Sequence, residues 1–212
     1  MARGRKRAKD PAMARRILAA AERHFAAEGL AGARTEEIAA EARANKAMLY
    51  YYFGSKRRLH RAVLENLLGQ LRSGVLATEE KSLSARERFL AHVSSYYDFL
   101  ATHPNYPRLM QREAMEGKSN FGWIVRDYFH PLHAKLVRTL EAGIAAGELR
   151  KVDANQMVLI TLGMVGSYFA SARIMGQVVG RNLLAPRAIA VRKRALLDFL
   201  DHGVVRKGVK SR

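Results

Sequence analysis

The side chains that come nearest to a metal-ligand set are His130 and His133, three apart, with Asp127 three residues earlier. A structural or catalytic zinc needs three or four converging donors, and no second carboxylate–His pair at ligand spacing accompanies this one. No metal and no other cofactor is therefore expected. His133 reads as a satisfied core histidine or as a group that hydrogen-bonds a ligand, and spacing leaves both open. The chain has no cysteine, which excludes disulfides, thiolate zinc, iron–sulfur clusters and thiol catalysis. Gly-x-x-x-x-Gly-Lys-Ser/Thr, His-Glu-x-x-His, Gly-x-Ser-x-Gly and the Glu-x-x-His pair of a di-iron bundle are all absent. Nothing positive supports an enzyme, and none is expected.

Charge points elsewhere. Across 212 residues, 37 Lys+Arg against 19 Asp+Glu leave +18, a surplus that implies polyanionic partners. Residues 1–60 carry 14 basic and 6 acidic side chains, net +8, and residues 181–212 carry 9 and 2, net +7. The segment between them, 61–180, holds 14 and 11 and is nearly neutral at +3. At 49% hydrophobic and 26% charged, the chain can bury a real core. The basic run Arg3–Lys9 is not followed by a signal-peptide apolar core, because Arg15, Arg16 and Arg23 interrupt it. The uncharged stretch Met157 to Ala172 is shorter than the ~20 apolar residues a bilayer requires. A soluble, cytoplasmic protein without membrane contact is expected.

The elements that must position this charge are helices. No proline falls between Pro11 and Pro104, and no segment alternates with period two, so the fold class is all-α. Asp10-Pro11 is a helix start, Ile17, Leu18, Ala21 and Phe25 recur at helical spacing, and Gly29 is a stop, followed by a loop over Leu30–Arg34. Thr35 reads as the N-cap of a short helix to Arg43, and Asn45 as the N-cap of a third through Phe53. Ser55 then caps a fourth carrying Leu59, Val63, Leu67, Leu68 and Leu71. Longer helices follow at roughly Ser84–Thr102, Tyr106–Glu116, Trp123–Ala146, Ala154–Met175 and Arg187–His202. Breaks fall at His103-Pro104, Gly117-Lys118-Ser119, Gly147 and Leu184-Ala185-Pro186.

Two short helices joined by a turn, Thr35–Arg43 and Asn45–Phe53, form a helix-turn-helix pattern. With Leu49 facing inward, a 100° wheel puts Phe53 on the same side, at about 40°, and Ala47 and Tyr51 opposite, at about 160° and 200°. Lys46, Met48, Tyr50 and Tyr52 lie on the flanks. Such a face suits the floor of a DNA major groove.

Ile17-Leu18-Ala19-Ala20-Ala21 with Phe25 and Gly29, then Thr35, Ile38-Ala39, and Leu49-Tyr50-Tyr51-Tyr52-Phe53-x-Ser55-Lys56 with Leu59, resemble the DNA-binding region of TetR/AcrR-type transcriptional repressors. The resemblance covers about Ala12 to Leu64. It implies an all-helical homodimer with a three-helix DNA-binding domain and a larger domain that dimerises and binds a small-molecule effector, which releases a palindromic operator in double-stranded DNA. Carried over residue by residue, Lys46, Ala47, Met48 and Tyr51 fall at base-contacting positions, and Thr35, Tyr50 and Lys56 at phosphate-contacting ones. Arg43 stands where the family often has glycine. Arg57 and Arg58 stand where an acidic residue is common, and Lys56-Arg57-Arg58 read as a backbone clamp. The expected organisation is a basic arm over 1–10, the helix-turn-helix domain over 11–56, the ligand-binding and dimerisation domain over 57–203 and a basic tail over 204–212. The arm either tracks DNA or serves solubility.

In the second domain Met157 to Ala172 is apolar nearly all round and must be buried on several sides. Gly163, Ser167, Val191, Ala195 and Phe199 are expected at the dimer interface, where by resemblance the last two long helices pair with their symmetry mates. Tyr96, Leu100, Met110, Met115, Phe121, Trp123, Tyr128, Phe129 and His133 are the material for a ligand pocket, or equally for plain core. Two other functions compete with a ligand-released repressor: a ligand-independent DNA-binding protein, and an enzyme of helical fold.

Overall fold

The computed structural model describes residues 10–77, 83–116 and 121–204. The basic run Arg3–Lys9, the Gly117-Lys118-Ser119 break and the tail beyond residue 204 lie outside these. Among the described residues the order is α1 (Pro11–Gly32), α2 (Thr35–Glu41), α3 (Lys46–Phe53), α4 (Lys56–Leu76), α5 (Ala85–Thr102), α6 (Tyr106–Glu116), α7 (Phe121–Ile124), a π-helical turn (Val125–Phe129), α8 (His130–Ala145), α9 (Ala154–Val178) and α10 (Pro186–Val204). No strand occurs among them. The all-α expectation holds.

Helix starts follow local chemistry. The Asp10 carboxylate accepts from Ala12 N–H at 2.8 Å, the Asn45 carbonyl oxygen from Met48 N–H at 2.8 Å, and the Ser55 hydroxyl from Arg58 N–H at 3.1 Å. Ser84 and Glu87 close a capping box at the start of α5. Helix α2 departs from expectation: Arg34 occupies the N-cap with no side-chain bond, and Thr35 is already helical. Gly29, at φ 73° and ψ 177°, breaks α1 as expected, but a further helical turn replaces the expected loop at Leu30–Gly32. The carbonyls freed there are reclaimed from outside the helix. Arg112 of α6 donates to Ala27 O at 2.7 Å and Ala26 O at 3.3 Å.

Helices α1–α3 pack around Ile17, Phe25, Ile38 and Leu49, all fully buried, and α4 closes that core with Leu59, Val63 and Leu64. Helix α4 then continues into the second group of helices, where α5 packs against α4, α8, α9 and α10. Its 21 residues span roughly 30 Å. On the other side α6 lies on α1, and Glu113 and His60 form a buried pair between α6 and α4 at 3.2 Å. The His60 ring also meets Phe25 edge-on at 4.8 Å.

The expected single helix Trp123–Ala146 is interrupted. Pro131 lacks an N–H and would clash with a carbonyl one turn back. The π turn immediately before α8, closed by His130 N–H to Val125 O, opens the backbone at that point. Helix α9 is longer than the stretch Met157–Ala172: its 25 residues are long and apolar enough, by length and composition, to cross a membrane. One face, with Val158, Thr161, Val165 and Ala172, is nevertheless buried against the rest of the fold.

Candidate functional site

Two regions bring the expected residues together, a surface on α3 and a cavity among α4–α9. On α3 the wheel is realised: Leu49 is fully buried, Tyr51 is 53% exposed, and Lys46 and Ala47 are exposed. Tyr50 is also exposed. Met48 is half-buried and packs against the core, so its side chain is less available than that of Tyr51. The Tyr52 hydroxyl accepts from Asp10 N–H at 2.9 Å, tying the start of α1 to α3. Sequence reasoning missed this contact because it joins residues 42 apart.

The cations around α3 are individually engaged. The Lys46 ammonium donates to Glu36, which holds that carboxyl well down, at about 2, mainly through this hydrogen bond. Lys56 donates to Ala31 O at 2.9 Å, so it caps the end of α1 while remaining at the start of α4. Arg57 is exposed. Arg58 folds back over the turn, its Nη1 about 3.2 Å from where a β-carbon on Gly54 would stand. Thr35 is only 6% exposed and its hydroxyl donates to Glu36 at 3.2 Å. That corrects the expectation of a phosphate-facing hydroxyl: the α2 start directs it along its own helix. Arg43 takes φ 53°, the only positive φ on a non-glycine residue among the described residues. It closes α2 with Arg43 N–H to Ala40 O and Ala44 N–H to Ala39 O at 3.0 and 2.8 Å, the two bonds of a Schellman cap.

The cavity has a volume of about 410 Å³. Leu71 and Val75 of α4, Phe89, His92 and Tyr96 of α5, and Tyr106 of α6 line it, together with Val125 and Phe129 of the π turn, His130, His133 and Leu136 of α8, and Thr161 of α9. Burial pushes the Tyr96 phenol up to about 12, so it is a neutral donor. Tyr96, Phe129 and His133 were among the expected pocket residues. Leu100, Met110, Met115, Phe121, Trp123 and Tyr128 do not line the cavity, which corrects that expectation. Leu100 is core at 1% exposure and Met115 is 80% exposed, while Met110 and Phe121 pack on the core from outside the cavity. Trp123 and Tyr128 turn to α4 instead, under the guanidinium groups of Arg61 at 4.5 Å and Arg72 at 5.3 Å. The π turn that follows Trp123 and contains Tyr128 is a local departure from the α-helical period that no hydrophobic period reveals.

His130 and His133 both line the cavity. Among the described residues, the group of His, Asp and Glu whose donor atoms come within 4.8 Å is His24, Glu28 and Glu37, on α1 and α2.

Gly163, Ser167, Val191, Ala195 and Phe199, the expected interface residues, are exposed on the single chain. They extend into an apolar surface with Ile160, Ile174, Val178 and Val179, the largest side chain of which, Phe199, is 63% exposed.

Comparison with known proteins agrees with this architecture. Residues 17–63 match the model for "Bacterial regulatory proteins, tetR family", and residues 86–200 match that for "Tetracyclin repressor-like, C-terminal domain". The HTH-type transcriptional repressor SCO4008 of Streptomyces coelicolor is 41% identical over 110 residues, 51% of this chain and 54% of that protein. The HTH-type transcriptional repressor NicS of Pseudomonas putida is 29% identical over 138 residues, 64% of this chain and 59% of its own. The chain thus spans between half and two thirds of the length of these two relatives. The solved structure of the ketosteroid transcriptional regulator KstR2 of Mycobacterium tuberculosis shares the fold, with a TM-score of 0.76 at 19% identity over 94% of this chain and 98% of that one. Two family models, one for each group of helices, place the chain in the TetR family of bacterial regulatory proteins.

Proposed function

We propose that this protein is a sequence-specific DNA-binding transcriptional regulator, a repressor that holds a palindromic operator as a homodimer and is released when a small molecule enters the cavity. The observation that carries the reading is the path of α4. Its first turn, capped by Ser55, follows the α3 surface directly, and its last turns put Leu71 and Val75 into the cavity wall. A molecule that displaces those two side chains moves a stiff rod whose other end abuts the recognition helix. Helix α6 offers a second link: Tyr106 lines the cavity, and Arg112 and Glu113 of the same helix bond α1 and α4.

Tyr51, Ala47 and Lys46 are the base-reading candidates, with Met48 lending its edge from the core. Tyr50, Lys56 and Arg57 serve the backbone, and Thr35 contributes by its position at the α2 start. The basic run Arg3–Lys9 directly precedes Asp10 in the sequence, and the Asp10 N–H donates to the Tyr52 hydroxyl of α3. The organisation proposed with this reading is an arm over 1–10, the DNA-binding domain over 11–56, the effector and dimerisation domain over 57–203 and a tail over 204–212.

Recovery of sheared genomic DNA at ~150 mM salt, where nonspecific binding is suppressed, tests this. Enrichment of one palindrome with two half-sites is expected. Uniform recovery of all sequences defeats the reading.

A further inference from the structure

The cavity carries information about the molecule that fills it. Among the described residues, its lining contains no Asp, Glu, Lys or Arg. The polar groups are the imidazoles of His92, His130 and His133 and the hydroxyls of Tyr96, Tyr106 and Thr161, set among aliphatic and phenyl surface. On α5, His92 and Tyr96 lie one turn apart; on α8, His130 and His133 are three residues apart, so each pair shares one helix face. The Thr161 hydroxyl is already spent donating to Met157 O at 2.8 Å and can only accept a further bond. Tyr96 stays protonated and donates.

From this lining we propose that the effector is an uncharged, mainly apolar molecule bearing a hydrogen-bond-accepting oxygen, such as a ketone, ester or lactone. The inference rests on the reading of the cavity as the effector site. A carboxylate or an ammonium group would leave its hydration behind and meet no permanent counter-charge, a transfer that is strongly unfavourable. Aromatic faces attract a cation, but with no carboxylate in the wall they balance only part of that loss. A neutral carbonyl loses far less and gains a bond from Tyr96 or an imidazole N–H. A cavity of about 410 Å³ lies within the range of small-molecule sites. Metal-bridged binding by the three histidines is disfavoured, since their donor atoms do not converge within 4.8 Å.

The test compares three probes matched in heavy-atom count: undecan-2-one, decanoate and octyltrimethylammonium. Each is titrated calorimetrically into the full chain at about pH 8. The ketone is expected to bind at least ~10-fold more tightly than either ion, and Tyr96→Phe, which keeps the ring and removes the donor, to weaken it several-fold. The variant His133→Leu, which removes a second donor from another helix, is expected to act in the same direction. Equal or tighter binding of an ion, or no binding of the ketone, overturns the proposal. Retention of the enriched operator is read in the same samples. A ketone that binds without releasing DNA defeats the effector reading and leaves the ligand chemistry standing. Release by an ion alone defeats the ligand chemistry and leaves the effector reading intact.

Discussion

At the scale of single residues, the DNA-facing surface is a balance between cations that are available and cations already held. Glu36 sits against Lys46, and this bond keeps its carboxyl near 2. Glu36→Gln therefore frees the ammonium and removes a negative charge from a surface meant for phosphates. Operator affinity is expected to rise several-fold, with a steeper dependence on salt, as read by gel-shift titration over a salt series. Tyr51, exposed at the centre of the outward face, is the side chain proposed to read sequence. Tyr51→Ala is expected to weaken specific binding by ~1–3 kcal/mol and leave nonspecific binding nearly unchanged. Arg43 is a different matter. A side chain at φ 53° stores strain that glycine would not, so Arg43→Gly should raise stability by about 1 kcal/mol, measured by urea unfolding. An unchanged or lowered midpoint would mean that the arginine makes compensating contacts.

At the scale of elements, α10 is held to the bundle by a few specific bonds. Arg86 at the start of α5 grips Asp201 of α10 through two bonds, Nε–Oδ1 at 2.6 Å and Nη2–Oδ2 at 2.5 Å. The Tyr97 hydroxyl donates to Ile189 O at 3.0 Å, and Lys193 meets Asp98 at 2.6 Å. The hydrogen bond from Arg86 holds the Asp201 carboxyl below its ordinary value. A carboxyl depressed on folding contributes stability above its unfolded pKa of about 3.9, and that contribution is lost as pH falls through the folded value. Asp201→Asn is therefore expected to destabilise the protein at neutral pH, with the difference from wild type shrinking as pH falls below the ordinary carboxyl range and through the lowered folded value. Urea midpoints of both proteins across that range check it, and a gap that persists in acid would assign the loss to packing.

At the scale of the whole molecule, the exposed face of α9 follows a three-four spacing, Ile160, Gly163, Ser167, Ala170 and Ile174. That is the seam spacing of helices packed in parallel registers. Val191, Ala195 and Phe199 lie one turn apart on α10. An apolar surface of this extent on a single chain marks an interaction site, and in the homodimer proposed above a second copy presenting the same surface would cover it under two-fold symmetry. A β-carbon at Gly163 would meet nothing within 4 Å inside the chain, so Gly163→Arg disturbs only what docks from outside. Both Gly163→Arg and Phe199→Asp are expected to sediment as monomers with unchanged helix content by circular dichroism. Loss of the second half-site should then weaken operator binding by orders of magnitude. A dimer in both variants would relocate the interface.

The helix-turn-helix and its family were legible in the sequence because they rest on local chemistry. Asp10, Asn45, Ser55 and Ser84 each bond an amide within a few residues, and the alternation of Leu49 with Tyr51 needs only the helical period. Whatever depends on contacts between distant segments was not legible. Lys56 reads as a free cation until α1 brings Ala31 O beside it. Trp123 and Tyr128 read as pocket lining until α4 brings the guanidinium groups of Arg61 and Arg72 over their rings. His92 and Tyr106 stand on helices whose periodicity says only that one side is buried, and the tertiary structure decided that this side encloses a cavity. By itself the sequence determined most of the helices and their caps and which side chains of α3 face outward, because those interactions close within a turn or two of the chain. The cavity wall, the partners of the cations and the apolar face left uncovered were decided by packing, because each is a relation between elements that the order of residues does not contain.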